Sequence, residues 1–328
     1  MRQFACVLCL LLYVVSVVSN IAVAAQSPER YPSKPVRIIL PFPAGGPSDL
    51  VARVFADRLG ARLNQQFVVD NRGGAAGINA GEIAARAAPD GYTLLLGSVG
   101  MMTINPALYP KLPYDPLRDF DPVSLLSASP YLLAAAPNLP VRSVKELITL
   151  AKASPGRLNY AAGGAGTGNH LSAELFKLLA GIDMVHIPYK GSSAALADVV
   201  SGQVQLWFVN VLVAAPHAKS GRIKALAVTS GQRSVSAPDV PTVAESGLKG
   251  YETTSWHGVL VPAKTPPAIV ERLHAELAAI AKQPEVRTTL GSQGADMIGS
   301  TASEFAAHLR VETAKWRKVI TSGRIKAE

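Results

Sequence analysis

Apolar residues in this chain alternate between short unbroken runs and stripes spaced three or four apart. The run "VRIIL" (36–40) leads through "PFPAGGPSD" (41–49) into a segment where Leu50, Val51, Val54, Phe55, Leu59 and Leu63 recur at helical spacing. A short apolar run bounded by glycine and proline predicts a buried strand, and the stripe predicts a helix laid on a sheet. The same alternation continues. "FVVDN" precedes the small-residue helix "NAGEIAARAAPDG", and "YTLLLGS" is a strand buried on both faces. "SLLSASPYLLAAAP" restarts strand character, and "SVKE" (143–146) is a capping box opening a helix that ends at "SPG". "RLNYAAGG", "MVHIPYKG", "VQLWFVN" and "IKALAVTS" read as strands, with "SAALADVVSG" and a short "APHAKSG" as helices between them. Two amphipathic helices follow, one aligning Ile269, Val270, Leu273, Leu277 and Ile280, the other Phe305, Leu309, Trp316 and Ile320, stopped at Gly323. The proline-studded "NPALYPKLPYDPLRDFDPV" (105–123) predicts surface turns. Strands alternating with helices predict an α/β fold with mostly parallel strands.

The turn "PFPAGGPSD" has an echo, "YAAGGAGTGNH" (160–170), again between a strand and a helical stripe. Two such units predict two α/β lobes, beginning near residues 33 and 123, with a cleft between them. A helix start carries unpaired N–H groups and about half a positive charge, and glycine lets a ligand approach the backbone. Either turn alone reads first as a tight strand-to-helix connection. The pair together reads as an anion site. Asp49 sits in the first helical turn, where it could cap the helix, accept a hydrogen bond from a ligand, or both.

The N-terminus narrows the setting. Arg2, the apolar "FACVLCLLLYVVSVV" and the small-residue "AVAA" (22–25) form a secretory signal, preferred over a membrane anchor because the run is short and a cleavage site follows. Both cysteines, Cys6 and Cys9, lie inside it, so the exported protein would stand on its hydrophobic core without disulfides. The formal charge of +9 becomes +8 without Arg2 and is spread thinly, with no basic block interleaved with aromatics, so nucleic acid is not an expected partner. "GGAGTG" misses the dinucleotide pattern in every register, and no phosphate-loop motif occurs. None of the six histidines stands at metal-site spacing, and Ser48 has no base identifiable from sequence. No cofactor, metal or catalytic residue is expected. Trp207, Trp256 and Trp316 are expected in the core.

The blocks "PFPAGGPSD", "PDGYTLLLGS", "HIPYKGSSAALADVVSGQV", "RIKALAVTS", "PDVPTVAESGLKGYE", "WHGVLVPAKTPPAIVERL" and "WRKVI" resemble, in this order, the Bug-type extracytoplasmic solute-binding receptors of tripartite tricarboxylate transporters. The resemblance covers essentially the whole chain after the signal. It implies a two-lobed periplasmic-binding-protein fold (type II-like), each lobe a mostly parallel sheet flanked by helices, with crossing strands between. Residues 1–25 would be the signal, 26–122 plus 229–328 the first lobe, and 123–228 the second. By position, Phe42, Ala44, Gly45, Gly46, Ser48, Asp49 and Ser98 would form one wall of the cleft. Gly163, Gly164, Gly166, Thr167, Gly168 and Asn169 would form the other, and Asn210 would close the far side. Many relatives carry Asp at the position of Asn210, which leaves the ligand's charge open. The implied function is periplasmic capture of a small carboxylate by a monomer, without enzymatic activity, for transporter subunits of the tripartite tricarboxylate type. A sensory role with a sensor kinase partner, or an exported hydrolase on a similar fold, are the alternatives.

Overall fold

Three predicted strands build one parallel group. β1 (Val36–Leu40) lies between β2 (Phe67–Asn71) and β3 (Thr93–Ser98). The computed structural model describes residues 31–189, 192–292 and 294–326; the expected signal segment, 1–25, lies outside them. A second parallel group places β5 (Asn159–Ala162) between β6 (Val185–Pro188) and β7 (Leu206–Asn210). Two long antiparallel strands connect the groups. β4 (Phe120–Ala135) pairs with β9 (Thr254–Pro262) from Phe120 to Pro130, then with β7 from Tyr131 to Ala135. β9 in turn pairs with β3. The resulting order is β2-β1-β3-β9-β4-β7-β5-β6, with β8 (Lys224–Val228) and β10 (Asp296–Met297) also on β4.

Helices cover the sheet as the apolar stripes require. α1 (Pro47–Leu63) buries Val51, Phe55, Leu59 and Leu63, starts on Pro47 and ends at Asn64 in the left-handed region. α2 (Ile78–Ala85) follows β2, and α3 (Val144–Ala153) precedes β5. At the start of α3 the Ser143 hydroxyl accepts from the Glu146 N–H at 3.2 Å. The Glu146 carboxylate accepts from Arg142 at 2.8 Å, one residue before the expected N–H. α4 (Gly168–Ala180), α5 (Ser192–Ser201) and α6 (Val211–Lys219) each follow a strand of the second group. α7 (Pro267–Ala281), α8 (Pro284–Gly291) and α9 (Ala302–Gly323) complete the chain. α9 begins with a full capping box, Thr301 and Glu304.

Several expectations need correction. The stretch 105–123 is surface turns only over 109–119; its two ends are regular structure. Residues 100–108 are helical, Met101, Met102, Ile104 and Leu108 are buried, and buried Tyr114 donates to the Met101 carbonyl at 2.9 Å. Phe120 to Val123 already belong to β4. The register shifts there between Pro122 and Ser124, a bulge that tolerates a proline inside a sheet. α6 begins earlier than expected, directly at the end of β7, and α8 was not anticipated. The left-handed residue that ends α9 is Arg324, after Gly323. Residues 229–253 pack on the second group of strands. Val243 N–H bonds the Val228 carbonyl at 2.9 Å, and the Tyr251 hydroxyl donates to the Ser172 carbonyl at 3.1 Å. Among the described residues, no helix is long and apolar enough to cross a membrane.

Candidate functional site

The carboxyl ends of parallel strands from both groups meet around a cavity of about 350 Å³. That is where open α/β sheets place ligands, because strand ends there hand the chain to helix N-termini. A groove of about 1200 Å³ between α6, α8 and residues 235–240 is larger. It contains none of the residues singled out from sequence and does not sit at those strand ends, so the smaller cavity is the candidate.

The first wall comes from the turn after β1. Phe42, Pro47 and Ser48 line it. Ser48 Oγ lies 2.7 Å from His257 Nε2, and the Phe42 ring meets the His257 ring edge-on at 6.3 Å. His257 is buried, and burial pushes its pKa down to about 4, so the ring is neutral at neutral pH. It therefore packs as a neutral ring against Ser48 and orients its hydroxyl.

Asp49 takes a different place. Its carboxylate is buried away from the cavity and accepts from Arg53 Nε at 2.9 Å, Gly45 N–H at 3.0 Å and Asn71 Nδ2 at 2.9 Å. The Arg53 hydrogen bond, outweighing desolvation and joined by those from Gly45 and Asn71, holds its pKa down to about 2. Asp49 thus braces the turn from behind. Ala44, Gly45 and Gly46 shape that turn without lining the cavity. Gly45 uses glycine's freedom, at φ 85°. Gly46, at φ −88°, does not need it. Ser98 is buried outside the lining, on the strand beside β9, where it pairs with His257.

The second wall comes from β5 and the start of α4. Ala162, Gly163 and Asn169 line it. Gly164, Gly166, Thr167 and Gly168 build the loop but stand outside the lining. The Thr167 hydroxyl donates to the Gly164 carbonyl at 2.8 Å, and Gly166 has φ 81°. Gly168 is closely packed: a methyl there would overlap the Tyr131 hydroxyl and stand 3.0 Å from Val99. Tyr131 lines the cavity, so Gly168→Ala is expected to displace that ring and weaken ligand binding at least fivefold, read by calorimetry on folded protein.

Two amides face the cavity with fixed orientations. Asn169 donates its Nδ2 to the Phe208 carbonyl at 3.1 Å, leaving Oδ1 for the cavity. Asn210 caps α6 by accepting from the Leu212 N–H through Oδ1 at 3.0 Å, leaving its NH₂ for the cavity. Of the residues named from sequence, the structure therefore brings Phe42, Ser48, Gly163, Asn169 and Asn210 to one surface.

Sequence reasoning missed the floor. Ser129 and Tyr131 on β4, and Ser255 and His257 on β9, face the cavity at strand spacing of two. That alternation is visible in "SPY" and "SWH", but nothing in one strand says what its face will meet. Tyr189, Ser192 and Trp207 also line the cavity. Trp207 is at once buried, as expected, and a cavity wall. Among the described lining residues no side chain carries a charge at neutral pH. Among the described residues, four helices begin at this surface: α1 with Ser48, α4 with Asn169, α5 with Ser192 and α6 with its cap Asn210. Among the described residues no cluster of His, Cys, Asp and Glu could hold a metal ion.

Comparison with known proteins places this geometry. The family model for the tripartite tricarboxylate transporter family receptor matches residues 51–324. BugT of Bordetella pertussis is 36% identical over 298 residues, covering 90% of this chain and 91% of BugT. The R. palustris protein Rpa4515, solved with adipate, is 37% identical with a TM-score of 0.80, covering 91% of this chain and 100% of that one. MatC from Rhodopseudomonas palustris, solved with bound malate, is 34% identical with a TM-score of 0.76, covering 88% and 100%. The fold is that of the periplasmic binding proteins, as in the solved periplasmic binding protein BugD, and nothing in these likenesses supports the hydrolase alternative. The chain belongs to the tripartite tricarboxylate transporter receptor family.

Proposed function

We propose that this receptor captures a small dicarboxylate outside the cytoplasm and delivers it to the membrane subunits of a tripartite tricarboxylate-type transporter. The observation that carries the reading is a neutral, hydrogen-bonding cavity at which four helices begin. An anion at a partly buried helix start gains up to about 2 kcal/mol. Several starts acting together, with Ser48, Tyr131, Asn210 and Ser192 as donors, supply what one start cannot toward the roughly 8 kcal/mol of micromolar affinity. The adipate and malate held by two relatives have this chemistry. The volume, near the lower end of the roughly 300–1,000 Å³ usual for small-molecule sites, suits ligands of that size.

The lobes follow from the same reading. β4 and β9 are the crossing strands, so the second lobe runs through residue 253 and the return to the first is made by β9. Removal of residues 1–25 and action as a monomer complete the proposal.

The test is calorimetric titration of unfolded-and-refolded, ligand-free protein with adipate, malate, and a monocarboxylate and neutral diol of equal length. Micromolar binding of a dicarboxylate, with the diol at least a hundredfold weaker, is expected. Equal affinity for diol and dicarboxylate, or no binding of either acid, overturns the dicarboxylate reading.

A further inference from the structure

Beneath the second glycine loop lies a pair of histidines that the anion site does not touch directly. His170 is buried in the first turn of α4, and His186 stands on β6. Their rings are 4.2 Å apart, and both stack on Tyr160, at 6.4 and 5.2 Å. Tyr160 is anchored in turn: its hydroxyl donates to Glu174 at 2.6 Å, and Lys177 pairs with the same carboxylate at 2.9 Å.

Each ring holds one end of the loop. The Gly166 N–H donates to His170 Nδ1 at 3.2 Å. His186 Nε2 lies 2.8 Å from the Gly163 carbonyl, which can only accept. The partners therefore fix the protonation of these two nitrogens. His170 must be unprotonated at Nδ1, and His186 must carry its hydrogen on Nε2. The span from Gly163 to Gly166 is tied at both ends to one aromatic stack, and Gly163 lines the cavity.

We propose that His170 and His186 are positioning residues that clamp the Gly163–Gly166 loop in its ligand-receiving shape. The inference rests on the reading of the cavity as an anion site. Acting through the backbone, they set where Gly163 and the start of α4 stand without touching the ligand. Loop carbonyl and amide would otherwise be free to turn toward water, because glycine offers little resistance to rotation.

The clamp predicts a substitution pattern that depends on atom position. Asn Oδ1 sits as many bonds from the backbone as His Nδ1, and Gln Nε2 as many as His Nε2. His170→Asn and His186→Gln should keep the affinity for adipate or malate within threefold of wild type. His170→Leu and His186→Leu should each weaken it at least tenfold, with the melting transition still cooperative. The crossed changes, His170→Gln and His186→Asn, misplace the polar atom and should behave like leucine; they decide the matter where a leucine variant does not fold.

Amide exchange at Gly166 gives a readout independent of ligand. It should accelerate at least tenfold in His170→Leu and return in His170→Asn. Proton–nitrogen correlation spectra of the imidazoles should show Nε2–H on both rings. Wild-type affinity in the leucine or crossed variants, failure of the matched variants to restore, an Nδ1–H on His170, or a missing Nε2–H on His186 overturns the clamp. If wild-type protein binds neither adipate nor malate, the dicarboxylate reading falls while exchange at Gly166 still decides the clamp.

Discussion

Asn210→Asp is expected to lose dicarboxylate binding by at least a hundredfold, about 2.7 kcal/mol. In the wild type Oδ1 is committed to the Leu212 N–H, so the ligand meets the NH₂. An aspartate can keep the cap with one oxygen, but the other then presents a negative charge where a carboxylate must sit. Two like charges about 4 Å apart at an effective dielectric near 20 repel by roughly 4 kcal/mol. Because the cap survives, the melting temperature should stay close to that of the wild type. The same change should improve binding of an amino dicarboxylate such as aspartate, whose ammonium finds a new partner. Calorimetry with adipate, malate and aspartate on both proteins checks this. Unchanged affinity for all three would remove Asn210 from the ligand shell.

Acid should destabilise the fold well before the carboxylates protonate. Burial, with smaller contributions from the neighbouring His186 and Lys177, lowers His170 to about 3, and burial alone lowers His257 to about 4. In the unfolded chain both titrate near the ordinary 6.5. The unfolded state therefore takes up protons first as pH falls, and stability rises with pH across this window. The contribution is complete above about pH 7. It declines from about 6.5 down to 4 for His257 and 3 for His170, by up to about 1.4 kcal/mol per pH unit for each ring. Asp49 then adds a loss between its ordinary 3.8 and about 2. Urea midpoints at pH 7.5, 6, 5 and 4.5 should fall steadily, and His170→Asn should flatten the slope. A midpoint that does not move between pH 7.5 and 4.5 would show that both rings titrate normally in the fold.

Strand and helix identity was legible because each element announces itself locally. The runs "VRIIL", "YTLLLGS" and "VQLWFVN" are strands, and the stripe through Phe55 and Leu59 is a buried helix face. What failed locally was punctuation by proline. Pro122, read as part of a turn, sits inside β4 because its neighbours, not its own preferences, supply the pairing. At the site, the two glycine turns were legible as a pair, yet the glycines divide between shaping a loop and lining the cavity. That division depends on how the backbone curls after the strand, as the contrast between Gly45 at φ 85° and Gly46 at φ −88° shows. The floor residues Tyr131 and Ser255 were hidden for another reason. Each becomes part of the site only when β4 and β9 cross, and that crossing joins segments far apart in sequence.

The position of β9 between β3 and β4 also bears on how such a chain is made. Ser98 must wait for His257 before its side of the sheet is closed. Until then Leu94, Leu95 and Leu96, fully enclosed at the end, form an unfinished border open to any passing strand. A chain emerging from its N-terminus would carry that border through almost half its length. Refolding from urea is therefore expected to be slow and sensitive to protein concentration, and a chaperone that shields extended apolar segments would raise the yield.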